Sequence, residues 1–386
     1  MKSRIEYLLK HSVILQKIYI FLFSGFFQFL GMFLKTDRNL IVFNSFGGKK
    51  FGDSPKNIYD YIIDKFDYEK FRLVWAFENP SDFDIPYGEK VKINSLRYFI
   101  ICLSAKYWIS SVNVERGLRF KKRKTIYINT WHGAGTKKIG NAVKGRKDYN
   151  FSNVDILLIQ SDFEKQIFMR DFLTKEKSCL KIGHPRADIL YNYKKVNIEK
   201  IKEKLNIKSE KKIILYAPTW RESTNKGSTY DLKIPLDIKK WKEELSDSYI
   251  VLFRTHTLTT NVINEDFSEF FIDVSNYPEV NELLLITDIL ITDYSTIVFD
   301  FSVLHRPFAC FGYDYDKYVS ERGLYIDIET EYPTGVIRTE KELLNWLKIM
   351  DYELEVEKVI KFNLKYVEAG GEATKKIVEK IMKFYL

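Results

Sequence analysis

A chain of 386 residues that is 45% hydrophobic and 16% aromatic, with only 9 prolines, can fill two packed domains at roughly 150 residues each, which excludes a disordered or collagen-like polymer. Lys and Arg number 61 against 52 Asp and Glu, a formal charge of +9, which favours anionic partners: nucleic acid, phosphorylated substrates or an acidic membrane surface. Cys102, Cys179 and Cys310 are far apart with no C-x-x-C, so neither a disulfide framework nor a structural zinc site is expected and the cytoplasm is the simplest compartment.

Residues 13–34 are almost wholly apolar, interrupted by Gln16, Lys17 and Gln28 and flanked by Lys2, Arg4, Lys10, Lys35 and Arg38. A spanning helix needs ~20 apolar residues, and a signal peptide needs a cleavage site that does not follow. The preferred reading is a membrane-associating helical segment over 1–38 that lies in or dips into the inner leaflet, its cationic flanks on anionic headgroups. A helix buried against the protein itself is the alternative.

Beyond residue 38, short β-rich runs alternate with helical stretches. Candidate strands cover 40–46, 71–77, 107–112, 125–130, 155–161 and 179–184, then 212–220, 249–256, 288–295 and 307–314. Runs apolar on both faces and separated by helices imply parallel sheets covered on both sides. Lys-rich 192–212 divides the halves. The expected fold class is α/β, with two facing Rossmann-like domains over 39–198 and 199–370 and a cleft at their C-terminal strand ends. A final helix over 371–386 is placed to cross back to the first domain.

Of five histidines, His132, His184 and His256 sit at predicted strand ends. In "NTWHGAGTKKIG" (129–140), Gly133 and Gly135 let backbone approach a ligand closely, and Lys137 and Lys138 can meet an anion. In "FRTH" (253–256), Arg254 and His256 project from one side of a strand end, suited to phosphate oxygens. "ILITDYSTIVFDF" (289–301) is a strand, a polar turn and an apolar helix, with Ser295 and Thr296 where a cap and an anion site belong. Thr219, Trp220 and Arg221 in "APTWRES" and Arg186 in "GHPRAD" face the same expected cleft. A packed core histidine or a plain helix cap is the alternative for each of these taken alone. Asp314-Tyr315-Asp316 matches a short metal-chelating pattern, but no second ligand cluster supports it; the sequence requires no cofactor and leaves a divalent metal open. P-loop, dinucleotide, serine-hydrolase and zincin signatures are absent.

As a set, "TWHGAGTKKIG", "GHPRAD", "YAPTWRES", "FRTH", "ITDYSTIVFDFSVLHRPF" and "YDYDKYVSERGLYID" resemble, in order, the CDP-glycerol glycerophosphotransferase family of teichoic acid synthesis, over roughly residues 40–345. The resemblance implies a two-domain GT-B-like fold, peripheral on the cytoplasmic face of the plasma membrane. It implies transfer of glycerol phosphate from CDP-glycerol, or ribitol phosphate from CDP-ribitol in relatives, to a lipid-linked saccharide or glycerol phosphate acceptor, with no nucleic-acid partner. It also adds Arg322 to the donor-phosphate residues. One departure stands out: Ala134-Gly135 replaces the family's usual Thr-Pro, which loosens the loop, whereas His132, Gly133 and Lys138 are retained.

In this chemistry an acceptor hydroxyl attacks the phosphorus that bears glycerol and expels CMP. The leaving phosphate has a last pKa of about 6, so protonating it gains little. What remains for protein groups is to take the nucleophile's proton and to neutralise the diphosphate. His132 is the expected base, with Asp293 or Asp300 as the fallback; His256, Arg254, Ser295 and Thr296 are the expected donor cradle. A GT-B glycosyltransferase using a nucleotide sugar is the main alternative. A non-catalytic nucleic-acid or membrane-binding module using "FKKRK" (120–124) is the other.

Overall fold

β-Branched and aromatic residues fill the strands on both faces, so each sheet has to be covered by helices on both sides. The structure is a computed structural model that describes residues 13–208, 210–219, 230–232, 235–255, 259–262 and 269–383. It divides into two compact units: Met1–His132, Gly145–Arg186 and Glu372–Leu386 form the first, Gly133–Lys144 and Ala187–Gly371 the second.

The first unit carries seven strands: β1 (Asp37–Asn44), β2 (Arg72–Phe77), β3 (Glu89–Lys92), β4 (Ala105–Ser110), β5 (Ile126–Asn129), β6 (Ile156–Ile159) and β7 (Cys179–Lys181). They form one parallel sheet in the order β3-β2-β1-β4-β5-β6-β7. The chain reverses its direction of sheet growth between β1 and β4, and a doubly wound sheet opens its crevice outside the carboxyl ends of two such strands. Ile41, Phe43, Trp75, Tyr107 and Ile109 form the core of one face, joined by Ile377, Val378 and Ile381 of the helix Ala373–Met382.

In the second unit β8 (Lys212–Tyr216), β10 (Tyr249–Phe253), β12 (Phe271–Asp273), β13 (Ile289–Thr292), β14 (Phe308–Phe311) and β15 (Val336–Ile337) form a parallel sheet in the order β12-β10-β8-β13-β14-β15. Its reversal lies between β8 and β13. Two further short strands, β9 (Tyr230–Leu232) and β11 (Thr259–Val262), pair with each other in parallel.

All ten expected strands are present, and those of the second unit end several residues before the expected runs do. The polar tails of those runs are loops whose amides bond across to the neighbouring strand: the Ala217 amide donates to Ile291 O (2.9 Å) and the Arg254 amide to Tyr216 O (3.0 Å).

The apolar N-terminal segment is a helix, Val13–Phe33. Ser24 and Phe27 are buried, Phe27 stacked on Phe99 at 4.0 Å, and Gly31 lies against Leu103 of the helix Leu96–Ser104. Ile18, Phe21, Leu22, Phe26, Phe29, Met32 and Phe33 remain exposed. No described helix is long and apolar enough to cross a membrane.

Candidate active site

In the first unit the catalytic candidate is His132, three residues past β5. Asn129, at the end of β5, organises that exit: its Oδ1 accepts from the Trp131 amide (2.9 Å), and its Nδ2 donates to Val112 O (2.9 Å). Trp131 takes a left-handed φ of +47° and packs its ring against Phe172 (4.8 Å) and Phe151 (5.5 Å). The His132 imidazole lies between Trp131 (4.4 Å, stacked) and Phe46 (5.3 Å). Its Nδ1 is 2.7 Å from Ser111 O. A carbonyl only accepts, so Nδ1 carries the proton and Nε2 of the neutral ring is the proton acceptor. Ser111 also fixes Phe46, whose amide donates to Ser111 Oγ (3.1 Å). One residue just past β4 therefore orients both the ring and its aromatic neighbour.

In the second unit the segment Gly133–Lys144 is built onto the loops after β13 and after the helix Tyr315–Arg322. Thr136 Oγ1 donates to Ser295 O (3.4 Å) and accepts from the Tyr332 hydroxyl (3.0 Å). Burial raises the pKa of that phenol well above its ordinary value, which keeps it a donor. The Tyr325 amide donates to Thr136 O (2.8 Å), the Lys138 amide to Gly323 O (3.0 Å), and Lys137 bridges Leu324 antiparallel. "TKKI" and "RGLY" are thereby joined as a short ladder, which brings Lys138 beside Gly323, the residue that follows Arg322.

Gly133 has φ +128°, and a Cβ there would stand 2.5 Å from Thr296 Oγ1. Gly133→Ala should therefore combine left-handed strain of about 1–3 kcal/mol with displacement of Thr296. We expect thermal denaturation to show a loss in that range and turnover to fall at least about tenfold. Gly145→Ala, where φ is +82° but nothing lies within 4 Å of the added carbon, should cost the strain alone and leave turnover intact.

Ser295 Oγ accepts from the Ile297 amide (3.3 Å) at the start of the helix Ile297–Ser302. Asp293 is buried, and its Oδ1 accepts from the Thr219 (2.8 Å) and Tyr294 (2.7 Å) amides, tying the exits of β8 and β13 together at the sheet's reversal. Thr219, Asp293, Ser295 and Thr296 are thus one cluster, with Gly133 and Thr136 upon it. Asp300 stands beside Tyr191, whose hydroxyl is pushed up to about 12 by burial first and by the Asp300 charge second. Arg254 Nη1 donates to Val274 O (3.0 Å) and Tyr277 O (2.7 Å), and burial lowers the guanidinium below its ordinary value. His256, Trp220 and Arg221 lie outside the described residues.

Two strand-end residues are held inside the first unit. His184 is buried, with Nε2 3.1 Å from both carboxylate oxygens of Glu164. Arg186 Nη1 is 3.6 Å from Asp53 Oδ1, and its amide donates to Ser54 Oγ (3.3 Å). Asp314 Oδ1 accepts from the Tyr294 hydroxyl (2.8 Å) and Asp316 lies 4.0 Å from Arg338. No group of three His, Cys, Asp or Glu suited to a metal gathers among the described residues. Ser111, Phe46, Tyr325 and Tyr332 escape sequence reasoning; the visible signal for the first two was a Ser or Phe one or two residues beyond a strand next to the sheet's reversal.

Residues 26–383 match the family described as CDP-Glycerol:Poly(glycerophosphate) glycerophosphotransferase. A teichoic acid poly(glycerol phosphate) polymerase of Bacillus spizizenii is 34% identical over 99% of this chain and 100% of its own length. One of Staphylococcus epidermidis is 39% identical over 80% of this chain; the match spans about half, 46%, of that longer relative. A structure of the wall teichoic acid polymerase TagF, a variant soaked with CDPG, superposes with a TM-score of 0.82 at 34% identity, covering 90% of each chain. The fold is accordingly TagF-like, of GT-B type, and the chain belongs to the CDP-glycerol:poly(glycerophosphate) glycerophosphotransferase family.

Proposed function

We propose that the protein transfers glycerol phosphate from CDP-glycerol to a hydroxyl of a lipid-linked acceptor and releases CMP, on the cytoplasmic face of the plasma membrane. The observation that carries this reading is the Nδ1–H to Ser111 O bond, which leaves Nε2 of His132 as a base with its lone pair directed away from that bond. In the reaction the acceptor oxygen bonds to the glycerol-bearing phosphorus, the bond from that phosphorus to the CMP oxygen breaks, and the hydroxyl proton passes to His132. The hydroxyls of Ser295 and Thr296 supply donors for the diphosphate, supported by Lys138, Arg322 and Arg254. The N-terminal unit takes the acceptor and the C-terminal unit the CDP donor. The test is acceptor-dependent CMP release with CDP-glycerol, CDP-ribitol and UDP-sugars offered separately. CDP-glycerol should be the best substrate; release of UDP from a nucleotide sugar would make the protein a glycosyltransferase instead.

Membrane attachment belongs to the same proposal. Phe21, Phe29 and Phe33 are 78%, 58% and 71% exposed on a helix that continues as Lys35 and Arg38, an apolar face with cationic flanks suited to an anionic leaflet. Each buried Phe contributes about 1.5–3 kcal/mol. Changing all three to Ser should therefore abolish sedimentation with anionic vesicles without lowering the thermal midpoint. Unchanged sedimentation would move the attachment elsewhere.

A further inference from the structure

Phe46, Arg116 and Trp131 are non-glycine residues with φ of +46°, +45° and +47°. They lie on three different loops, after β1, β4 and β5, and belong to one cluster. Phe46 and Trp131 flank the His132 ring, and Arg116 Nη2 donates to Gly47 O at 3.3 Å. Backbone strain of this kind persists where the surroundings over-determine it, and it gathers at working sites. The β1 and β4 loops are also the pair that flank the reversal of the sheet, where ligands of doubly wound folds bind.

The turn that presents Arg116 is firmly built. The buried Glu115 carboxylate accepts from the Phe120 (2.8 Å) and Lys121 (3.0 Å) amides and from Asn153 Nδ2 (3.0 Å). The Arg116 side chain is itself exposed, so its guanidinium can meet a ligand while it bonds Gly47 O. Lys50 Nζ, 5.4 Å from the centroid of the Phe46 ring, adds a second cation from the loop after β1. The far side of the turn is tied to the apolar helix: the Arg119 amide donates to Ser24 Oγ (3.0 Å) and Gln28 Nε2 to Arg119 O (2.6 Å).

We propose that Arg116, with Lys50, forms an anion subsite for a phosphate ester of the acceptor, holding it so that the attacking hydroxyl reaches His132. This rests on the reading of the protein as a glycerol phosphate transferase. The shared chemistry is a phosphodiester or diphosphate, which an acceptor bears either in its lipid link or in a terminal glycerol phosphate. The fork of an arginine suits such oxygens, and the turn's attachment to the apolar helix keeps the subsite near the lipid end of a membrane-borne substrate.

The test is equilibrium binding of three probes to the full chain and to Arg116→Asn and Arg116→Lys. Asn tolerates the left-handed backbone, so the fold should survive, as an unchanged thermal midpoint verifies. The probes are a saccharide on an uncharged alkyl tail, the same saccharide on a lipid diphosphate, and the alkyl saccharide capped with glycerol phosphate. Arg116→Asn should weaken at least one phosphate-bearing probe about tenfold or more, Arg116→Lys should weaken it less, and neither should affect the uncharged probe or CDP-glycerol. Whichever phosphate probe loses affinity identifies the source. Equal binding of all probes by wild type and Arg116→Asn, or weakened CDP-glycerol binding, overturns the subsite. Arg116-dependent binding in a protein that transfers nothing from CDP-glycerol sinks the transferase reading and leaves the subsite standing.

Discussion

His132→Asn should lower turnover by about 10²–10⁴-fold while leaving CDP-glycerol binding intact. Asn can still donate to Ser111 O and occupy the slot between Trp131 and Phe46, so the loop keeps its shape. What disappears is the lone pair that Nε2 holds while Nδ1 is committed to the carbonyl. In the proposed mechanism His132 works only as a neutral ring, so the wild-type rate should climb with pH across the range where an imidazole loses its proton. That limb should be missing from residual activity of the variant, as steady-state rates across pH would register. A variant with near-normal turnover and the same limb would reduce His132 to a loop-shaping residue, and Asp293 or Asp300 would have to be tried as the base.

Glu164→Ala should be strongly destabilising while leaving the reacting groups untouched. The carboxylate accepts from the Gln160 amide (2.7 Å) and meets Nε2 of His184, with both side chains almost wholly out of water. Alanine strands two buried donors, each costing about 1–3 kcal/mol, so denaturant unfolding should show a loss of about 2–5 kcal/mol. Activity per folded molecule should be preserved. A loss below 1 kcal/mol, or selective loss of turnover, would mean that His184 is more than a core residue.

His132 and His184 carry the same signal in the sequence, a histidine at the end of an apolar run beside glycine. What separates them is the partner. Glu164 is visible as the fourth residue of "SDFE", a helix-start pattern, yet its carboxylate turns back to Gln160 and His184. That choice depends on β6 and β7 lying side by side and cannot be read from spacing. Ser111 is still less visible, because its contribution to His132 is a backbone carbonyl.

The strands legible in the sequence are those built on apolar runs, such as "LIVF" in β1, "ILLI" in β6 and "FACF" in β14. β3, β12 and β15 are too short or too polar to show a period, and all three lie at sheet edges, where one flank needs no partner. The N-terminal helix was legible as apolar but not in how it divides its faces: Phe27 goes inward because Phe99 and Phe120 meet it, and Phe26, its neighbour in sequence, stays exposed. The ladder of "TKKI" with "RGLY" joins segments nearly 190 residues apart, beyond the reach of local pattern.

The most direct test of the transferase reading is the mass of the product formed from a lipid-linked saccharide acceptor when CDP-glycerol and CDP-ribitol are supplied in turn. With CDP-glycerol the acceptor should gain one or more glycerol phosphate units, with one CMP released per unit, and His132→Asn should suppress both together. An acceptor that gains only ribitol phosphate, gains a sugar from a nucleotide sugar, or gains nothing while CMP accumulates would contradict it.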